Sequence, residues 1–460
     1  MNERDLTEGN LFKHLLLLSV PAALAMVLQS SNGLIDIYWV GKLGPEPIAA
    51  VSLVWILFSV VLAVSHTLGT GTVVLVAQAF GKKEYRKAEY FSRESLLLTF
   101  LTAFTFSFLS FIFAQKIVNA LGGREKVLLL GTEYFRILSI AYFFQLLTFN
   151  IVFSLRGRGD MTTPMVILFI ASLLNIVLDP LLIFGVGFFP RLEIRGASLA
   201  TLIAQLSAFL YAFWVFQKRR KFKEDDPIQI GFHMDPALIK TLLIIGLPVG
   251  LQFGMVGGVR MVVLRLSAEF GTEVLAAAGI GFRILLMAVL PVVAIGISAT
   301  TLVGQNLGAR KLDRTKRCGI QSILLASFVM GLLAIGIALL AGPMMDLFTK
   351  DPKVVEIGVG FLRIVSVSLL FIGAAIAANG VFRGAGETIL PMVFSLMKLL
   401  LLIPLSYILV TGFHLGVKGL WWAMVVVYVL EAGLNGVWFS LGRWKKRKIV
   451  SESGSFLISG

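Results

Sequence analysis

Cysteine and histidine are nearly missing from these 460 residues. Cys318 stands alone, and the only histidines are His14, His66, His233 and His414. An internal disulfide is therefore excluded, and neither a cysteine cage nor histidines at metal-ligand spacing can be assembled. Charge is scarce as well: Asp, Glu, Lys and Arg make up 15% of the chain, against about a quarter in an ordinary soluble domain. No stretch longer than about 20 residues is polar enough to be a soluble domain. Also missing are an HExxH pair, a nucleophile beside its base and a metal triad, so no enzyme is expected.

Apolar residues fill the space that charge leaves. They form 57% of the chain, and uncharged runs over 15–35, 100–113 and 322–343 approach or exceed the ~20 residues that cross a bilayer. Cutting at charged and Gly/Pro-rich punctuation predicts twelve membrane helices, at 13–40, 46–73, 92–116, 126–153, 162–187, 195–217, 237–267, 274–301, 317–341, 354–382, 389–412 and 416–441. The fold class expected is an all-α polytopic membrane protein. The net charge of +15 would suggest a polyanion partner in a soluble protein. Its position argues otherwise: Lys and Arg crowd the loops after even-numbered spans, five in 81–93 and five in 308–317. By the positive-inside rule both termini are cytoplasmic, in a cell (plasma or inner) membrane, and no nucleic-acid partner is expected. Residues 1–10 are polar and the first apolar run is long enough to stay as a span, so no cleavable signal is expected.

An internal repeat organises the chain. A shift of 227 residues places Pro21 on Pro248, Gln78 on Gln305, Gly81 on Gly308, Arg136 on Arg363, Arg156 on Arg383, Gly157 on Gly384, Gly159 on Gly386, and Asp160 on Glu387. Six spans per copy is an even number, so the halves share one orientation, as in carriers whose two bundles rock around a shared cavity. The expected division is an N-terminal six-helix lobe (1–217), a cytoplasmic linker (218–236) containing Asp225, Asp226 and Pro227, a C-terminal six-helix lobe (237–442) and a basic cytoplasmic tail (443–460).

Functional asymmetry should lie where the copies differ. Asp36 falls on Val263 and Asp179 on Ser406, so the first half owns two intramembrane carboxylates that the second lacks. Each costs about 2.5–3.5 kcal/mol at the centre of an inserted helix and is a functional candidate by default. Asp36 also lies near enough to the interface for a simple interhelical hydrogen bond to explain it. Gln29, Asn32 and Asp36 share one helical face on span 1, and Ser172, Asn175 and Asp179 share one on span 5. Counting from the span ends brings Tyr134 and Thr201 to the same level. Pro180 follows Asp179 and frees a backbone carbonyl beside it. Two carboxylates packed together cannot both stay ionised without positive charge between them. A proton neutralises them; alternatively, Asp36, Asn175, Asp179 and Thr201 form an all-oxygen site suited to Na⁺. The residues leave that choice open. Asn150, near the inner end of span 4, reads as an interhelical hydrogen bond.

The second half is less explicit. Arg260, Lys398 and Glu431 lie within or near spans 7, 11 and 12, with Lys398 and Glu431 a candidate neutralising pair. Gly250, Gly254 and Gly258 form a small-residue stripe expected to make a close helix contact.

At these residues the chain resembles the multidrug and toxic compound extrusion (MATE) family of antiporters, from about 11 to 441. The likeness rests on the early proline followed by Asp36, the loops AQAFG and GQNLG, the RG-x-G-acid turns, and Asn175, Asp179 and Pro180 in N-x-x-x-D-P. It is most similar to the DinF-like branch, archaeal members in particular. The resemblance implies a V-shaped pair of six-helix lobes, export of amphiphilic, often cationic compounds, H⁺ or Na⁺ as coupling ion, and no other cofactor. It implies a coupling site at Asp36, Tyr134, Asn175, Asp179 and Thr201. Pro21 falls where the first helix bends, and Gln29 and Asn32 line the substrate cavity beside it. The partners expected are small amphiphiles and the bilayer, for a monomeric carrier. A lipid-linked precursor flippase of a related family and a non-transporting scaffold are the alternatives.

Overall fold

A computed structural model describes residues 5–187, 189–219 and 235–446. Most of the expected linker, with Asp225, Asp226 and Pro227, and the tail from 447 lie outside the described residues. The first half of the chain forms α1 (Leu11–Gly41), α2 (Pro45–Gly81), α3 (Tyr85–Ile112), a short α4 (Ala114–Ala120), α5 (Glu125–Gly157), α6 (Thr162–Phe184) and α7 (Ile194–Lys218). The second forms α8 (Pro236–Ala268), α9 (Thr272–Gly308), α10 (Leu312–Leu339), a short α11 (Ala341–Asp346), α12 (Pro352–Gly384), α13 (Ile389–Tyr407) and α14 (Val417–Leu441). A π-helical turn, Ile408–Gly412, extends α13. Twelve helices among the described residues are long and apolar enough to cross a bilayer, so the chain is an all-α polytopic membrane protein.

Local chemistry sets the helix ends. Gly44, at φ 122°, leads into α2, whose first residue is Pro45, and Asp351 precedes Pro352 at the start of α12 and accepts the Lys353 amide at 2.9 Å. Proline at a first helical position loses no helical hydrogen bond, and an Asp cap satisfies an orphan donor. Asp160 Oδ1 accepts the Thr162 and Thr163 amides at 3.0 Å each. Its other oxygen binds the Arg219 guanidinium, so a single carboxylate joins the start of α6 to the end of α7. Helix α3 starts at Tyr85 rather than 92, because its charged first turn is solvated and continues the helix instead of ending it, with Lys87 3.2 Å from Glu84. The short helices α4 and α11 are too brief for hydrophobic spacing to have revealed them.

Packing divides the chain into two compact units, one comprising residues 24–250 and the other 6–23 with 251 onward. The two breaks fall two residues after Pro21 and Pro248, and they too are 227 apart. Helix α1 is continuous through Pro21. In the first unit α5 packs on α2, α3 and α7, and α6 on α7; in the second, α12 packs on α9, α10 and α14, and α13 on α14. The repeat extends to single contacts. A Cβ on Gly157 would lie 2.9 Å from the Val76 side chain, and one on Gly384 would lie 3.0 Å from that of Val303, its repeat mate. The turns that follow place Gly159 at φ 80° and Gly386 at φ 78°, a region open to glycine at no steric cost.

Polar ties inside each unit are local. Asn150 Nδ2 donates to Ser95 Oγ at 2.7 Å and to Thr72 Oγ1 at 3.3 Å, joining α5 to α3 and α2 as an interhelical hydrogen bond. In the second unit the Arg314 guanidinium donates to the carbonyls of Glu8 at 2.7 Å and Gly9 at 2.9 Å, which secures the segment before α1. The glycine stripe on α8 is only partly a close contact. Gly250 abuts Thr67 and a Cβ on Gly258 would lie 3.3 Å from the Leu399 side chain, whereas a Cβ on Gly254 meets nothing within 4 Å. The stripe faces different neighbours along its length, so equal spacing does not mean equal crowding.

Gly384→Val should lower unfolding stability by about 1–3 kcal/mol through overpacking against Val303 and the Thr300 carbonyl, while Gly254→Ala should be neutral or gain up to about 1 kcal/mol. Thermal unfolding in detergent compares them; equal losses would contradict the packing described.

Candidate functional site

The first unit gathers its polar side chains where α1, α5, α6 and α7 come together. Asp36 stands five residues before the end of α1, and Asp179 five before the end of α6. The helix ends are held level by Trp39 of α1 against Phe184 of α6, ring centroids 5.9 Å apart. Lys42 caps this edge, its Nζ 4.5 Å and 4.3 Å from the Tyr38 and Trp39 centroids. Below lies an apolar core including Val40, Val54, Phe135, Leu138, Ile183 and Ala197.

Asp179 is fully buried, and the Asp36 carboxyl lies beside Asp179 and Asn175, close enough for each carboxylate to act electrostatically on the other. Asn175 Nδ2 donates to Asp179 Oδ1 at 3.2 Å and to Thr201 Oγ1 at 3.4 Å, while the Thr201 hydroxyl donates to the Ala197 carbonyl at 3.1 Å. Tyr134 is buried close enough to feel the charge of both carboxylates. Helical spacing thus brings together Asp36, Tyr134, Asn175, Asp179 and Thr201. Asn32, one turn before Asp36, donates Nδ2 to Ser172 Oγ at 3.1 Å and ties α1 to α6 a turn deeper. Gln29 is half-buried on the same stretch and joins none of these bonds, and Pro21, fifteen residues before Asp36, belongs with the other unit.

Charge balance defines the chemistry. Among the described residues no Lys, Arg or His pairs with either carboxylate. Three buried oxygens, Asn32 Oδ1, Asp36 Oδ1 and Asp179 Oδ2, receive no hydrogen bond from the protein. Pro180 has no N–H to offer the Ile176 carbonyl, which adds a further free acceptor on this part of α6. Two carboxylates, an amide, a hydroxyl and no cation form a donor-poor, oxygen-rich set. It fits a shared proton or a hard monovalent ion. Transition-metal chemistry is not served, since no group of three His, Cys, Asp or Glu converges among the described residues.

One neighbour of the site, Tyr142, was not among the residues expected from sequence, and one partnership, that of Ser172, was not either. Tyr142 is buried within electrostatic reach of Asp36; it lies two turns after Tyr134 on the same face of α5, and that i, i+8 relation is the signal that would have found it. Ser172 appeared in the stripe on span 5, but its partner Asn32 could be assigned only once α1 and α6 were seen side by side. In the second unit Lys398 and Glu431 do pair, at 2.7 Å, whereas Arg260 is exposed on α8.

Comparison with known proteins matches this arrangement to one family. The MatE family model matches residues 21–181 and again 248–408, two stretches separated by the repeat shift itself. The chain is 28% identical over 96% of its length to the probable multidrug resistance protein YoeA of Bacillus subtilis, covering 96% of that protein. It is 28% identical to an FAD transporter of Shewanella oneidensis, over 90% of this chain and 91% of the other. Among solved structures, the outward-facing conformation of a multidrug resistance MATE family transporter of the MOP superfamily superposes with a TM-score of 0.88 at 25% identity, covering 97% of this chain and 99% of that one.

Two ionised carboxylates in contact destabilise the fold, and protonation or Na⁺ relieves the repulsion. In Na⁺-free detergent buffer the wild type should therefore lose melting temperature relative to Asp36→Asn, in which one charge is gone, and the gap should widen as pH rises and narrow when Na⁺ is added. Parallel curves for the two proteins would show that the carboxylates do not interact.

Proposed function

The chain belongs to the MatE family, and on that premise we propose that it is a cation-coupled antiporter exporting amphiphilic, often cationic compounds by alternating access, with Asp36 and Asp179 as coupling carboxylates. The family is one of transporters rather than enzymes. Relatives named as multidrug resistance proteins support a small-molecule cargo. A relative named as an FAD transporter marks how far cargo varies at this level of identity.

The observation that carries the reading is a pair of neighbouring carboxylates with no basic partner among the described residues and with orphaned oxygens on both. A membrane interior tolerates such a pair only when positive charge arrives from outside. Asp36 and Asp179 share the proton or hold the Na⁺, with Asn175 and Thr201 offering neutral oxygens. When bound, either cation supplies the charge that lets α1 and α6 close on each other. Without it, repulsion favours a looser packing of the outer part of α1. Asn32 bonded to Ser172, and Tyr134 beside the carboxylates, transmit that change to the helix faces. Pro21 marks the place in α1 where an interior hydrogen bond is already lost and bending costs least. Coupling between cation and cargo is necessarily mutual. The Lys/Arg-rich loops support insertion in a cell membrane with both termini on the cytoplasmic side.

In proteoliposomes loaded with a lipophilic cationic dye, with H⁺ and Na⁺ gradients imposed one at a time, Asp36→Asn and Asp179→Asn should each reduce gradient-driven efflux at least about tenfold. Helix content should be unchanged by circular dichroism. Full activity in both variants would sink the assignment, and absence of dye flux in the wild type under either gradient would favour a flippase or a scaffold.

A further inference from the structure

A second buried polar cluster lies in the other unit, outside the site described above. Lys398 Nζ on α13 is 2.7 Å from Glu431 Oε2 on α14 and 4.8 Å from the centroid of the Tyr428 ring. Ser395 Oγ donates to Glu431 Oε1 at 2.9 Å and accepts from Gln252 Nε2 of α8 at 2.8 Å. Gln252 Oε1 in turn accepts from the Arg383 guanidinium of α12 at 2.7 Å. The side chains of Lys398 and Glu431 are only 7% and 4% exposed. In the repeat register, Gln252, Ser395, Lys398 and Glu431 correspond to Ala25, Leu168, Ala171 and Ala204, so the first half has nothing comparable. Tyr428 is the repeat mate of Thr201, which places this cluster beside the level of the carboxylate site in its own half.

A carboxylate oriented by a hydroxyl, with an aromatic face alongside, is a binding arrangement for an ammonium ion. Here the ammonium belongs to the chain. We propose that Lys398 is a tethered cation: its ammonium permanently fills an ammonium site made by Glu431, Ser395 and Tyr428, so the second half is neutralised from within and only the first half exchanges cations with solution. The inference rests on the reading of Asp36 and Asp179 as the exchanging site. A covalently held ligand has an effective concentration that free ions do not approach, so Glu431 does not release its counter-charge during a transport cycle. The Gln252 amide links α8 to α12 through Arg383 and to α13 through Ser395, whose hydroxyl in turn orders Glu431 for its lysine.

Removing the tether tests this. In Lys398→Ala the portion lost beyond Cβ is an n-propylammonium ion. The purified variant should melt roughly 5–10 °C below wild type, and millimolar n-propylammonium should recover at least half of that loss while 1-propanol recovers none. The Lys398→Ala/Glu431→Gln double variant should show no such recovery. In proteoliposomes, Lys398→Ala exposes Glu431 to exchange, so the number of cations moved per substrate, read from the gradient that just balances substrate accumulation, should rise. In Lys398→Met/Glu431→Leu, an apolar filling of the same space, that number should be unchanged and the efflux rate should stay within about threefold of wild type. Absence of ammonium-specific recovery, an unchanged cation count in folded Lys398→Ala, or loss of coupling in the folded apolar double variant would each overturn the proposal. If Lys398→Ala does not fold, the apolar double variant decides alone. The recovery measurement needs no transport, so it stands apart from failure of the Asp36/Asp179 reading, which would appear as full coupling in those Asn variants.

Discussion

An ionised group among membrane-spanning helices must meet its opposite charge within the bundle or take it from a ligand, because neither lipid nor packed helix supplies the water that would otherwise stabilise it. Two buried acids among the described residues meet that constraint internally: Glu431 has Lys398 and Asp160 has Arg219. Asp36 and Asp179 do not. They face each other, with an asparagine amide as donor and orphaned oxygens beside them. That difference is what the proposed cation coupling at these two aspartates rests on.

Duplication makes the contrast sharper. The halves agree where backbone approaches backbone: Gly157 against Val76 repeats as Gly384 against Val303, and Lys83 at φ 62° repeats as Arg310 at φ 59°. They disagree where polar atoms enter the core. Asp36, Tyr134, Asn175 and Thr201 correspond to Val263, Phe361, Leu402 and Tyr428, and the Lys398–Glu431 network corresponds to alanines and a leucine. Small-residue contacts fix how helices cross, and van der Waals packing of that kind is indifferent to a few buried side chains. Each copy can therefore carry different chemistry on one scaffold.

This division also explains what was legible in the chain before its structure. Twelve spans could be counted because hydrophobic length is imposed by the bilayer and survives in any sequence that crosses it. The convergence of Asp36 with Asp179 followed from distance to the span ends, since rise per residue converts position into depth. Charged segments misled: the solvated first turn of α3 carries Arg86 and Lys87, yet it is helical because lateral charge does not break a helix at an aqueous face. Equal spacing misled as well, for Gly254 shares the stripe of Gly250 and Gly258 and touches nothing. Partnerships such as Asn32 with Ser172, or Gln252 with Ser395, depend on which helices are neighbours and at what rotation, and one sequence does not contain that without a second copy to compare.

What separates the two carboxylate clusters is whether the counter-charge is attached. Glu431 and the Asp36–Asp179 pair meet the same requirement, a positive charge within hydrogen-bonding distance in a medium of low dielectric. Lys398 fulfils it for Glu431 at a cost in side-chain freedom that is met once, on folding. Under the proposed coupling, the aspartates have it fulfilled only while an ion is bound, so the same electrostatic demand recurs whenever the ion leaves. An attached charge stabilises a structure; an exchangeable one makes stability conditional on a gradient. On the proposed reading, a fold built twice with one cluster of each kind confines the response to a cation to one copy, which neither two tethered sites nor two exchanging ones would allow.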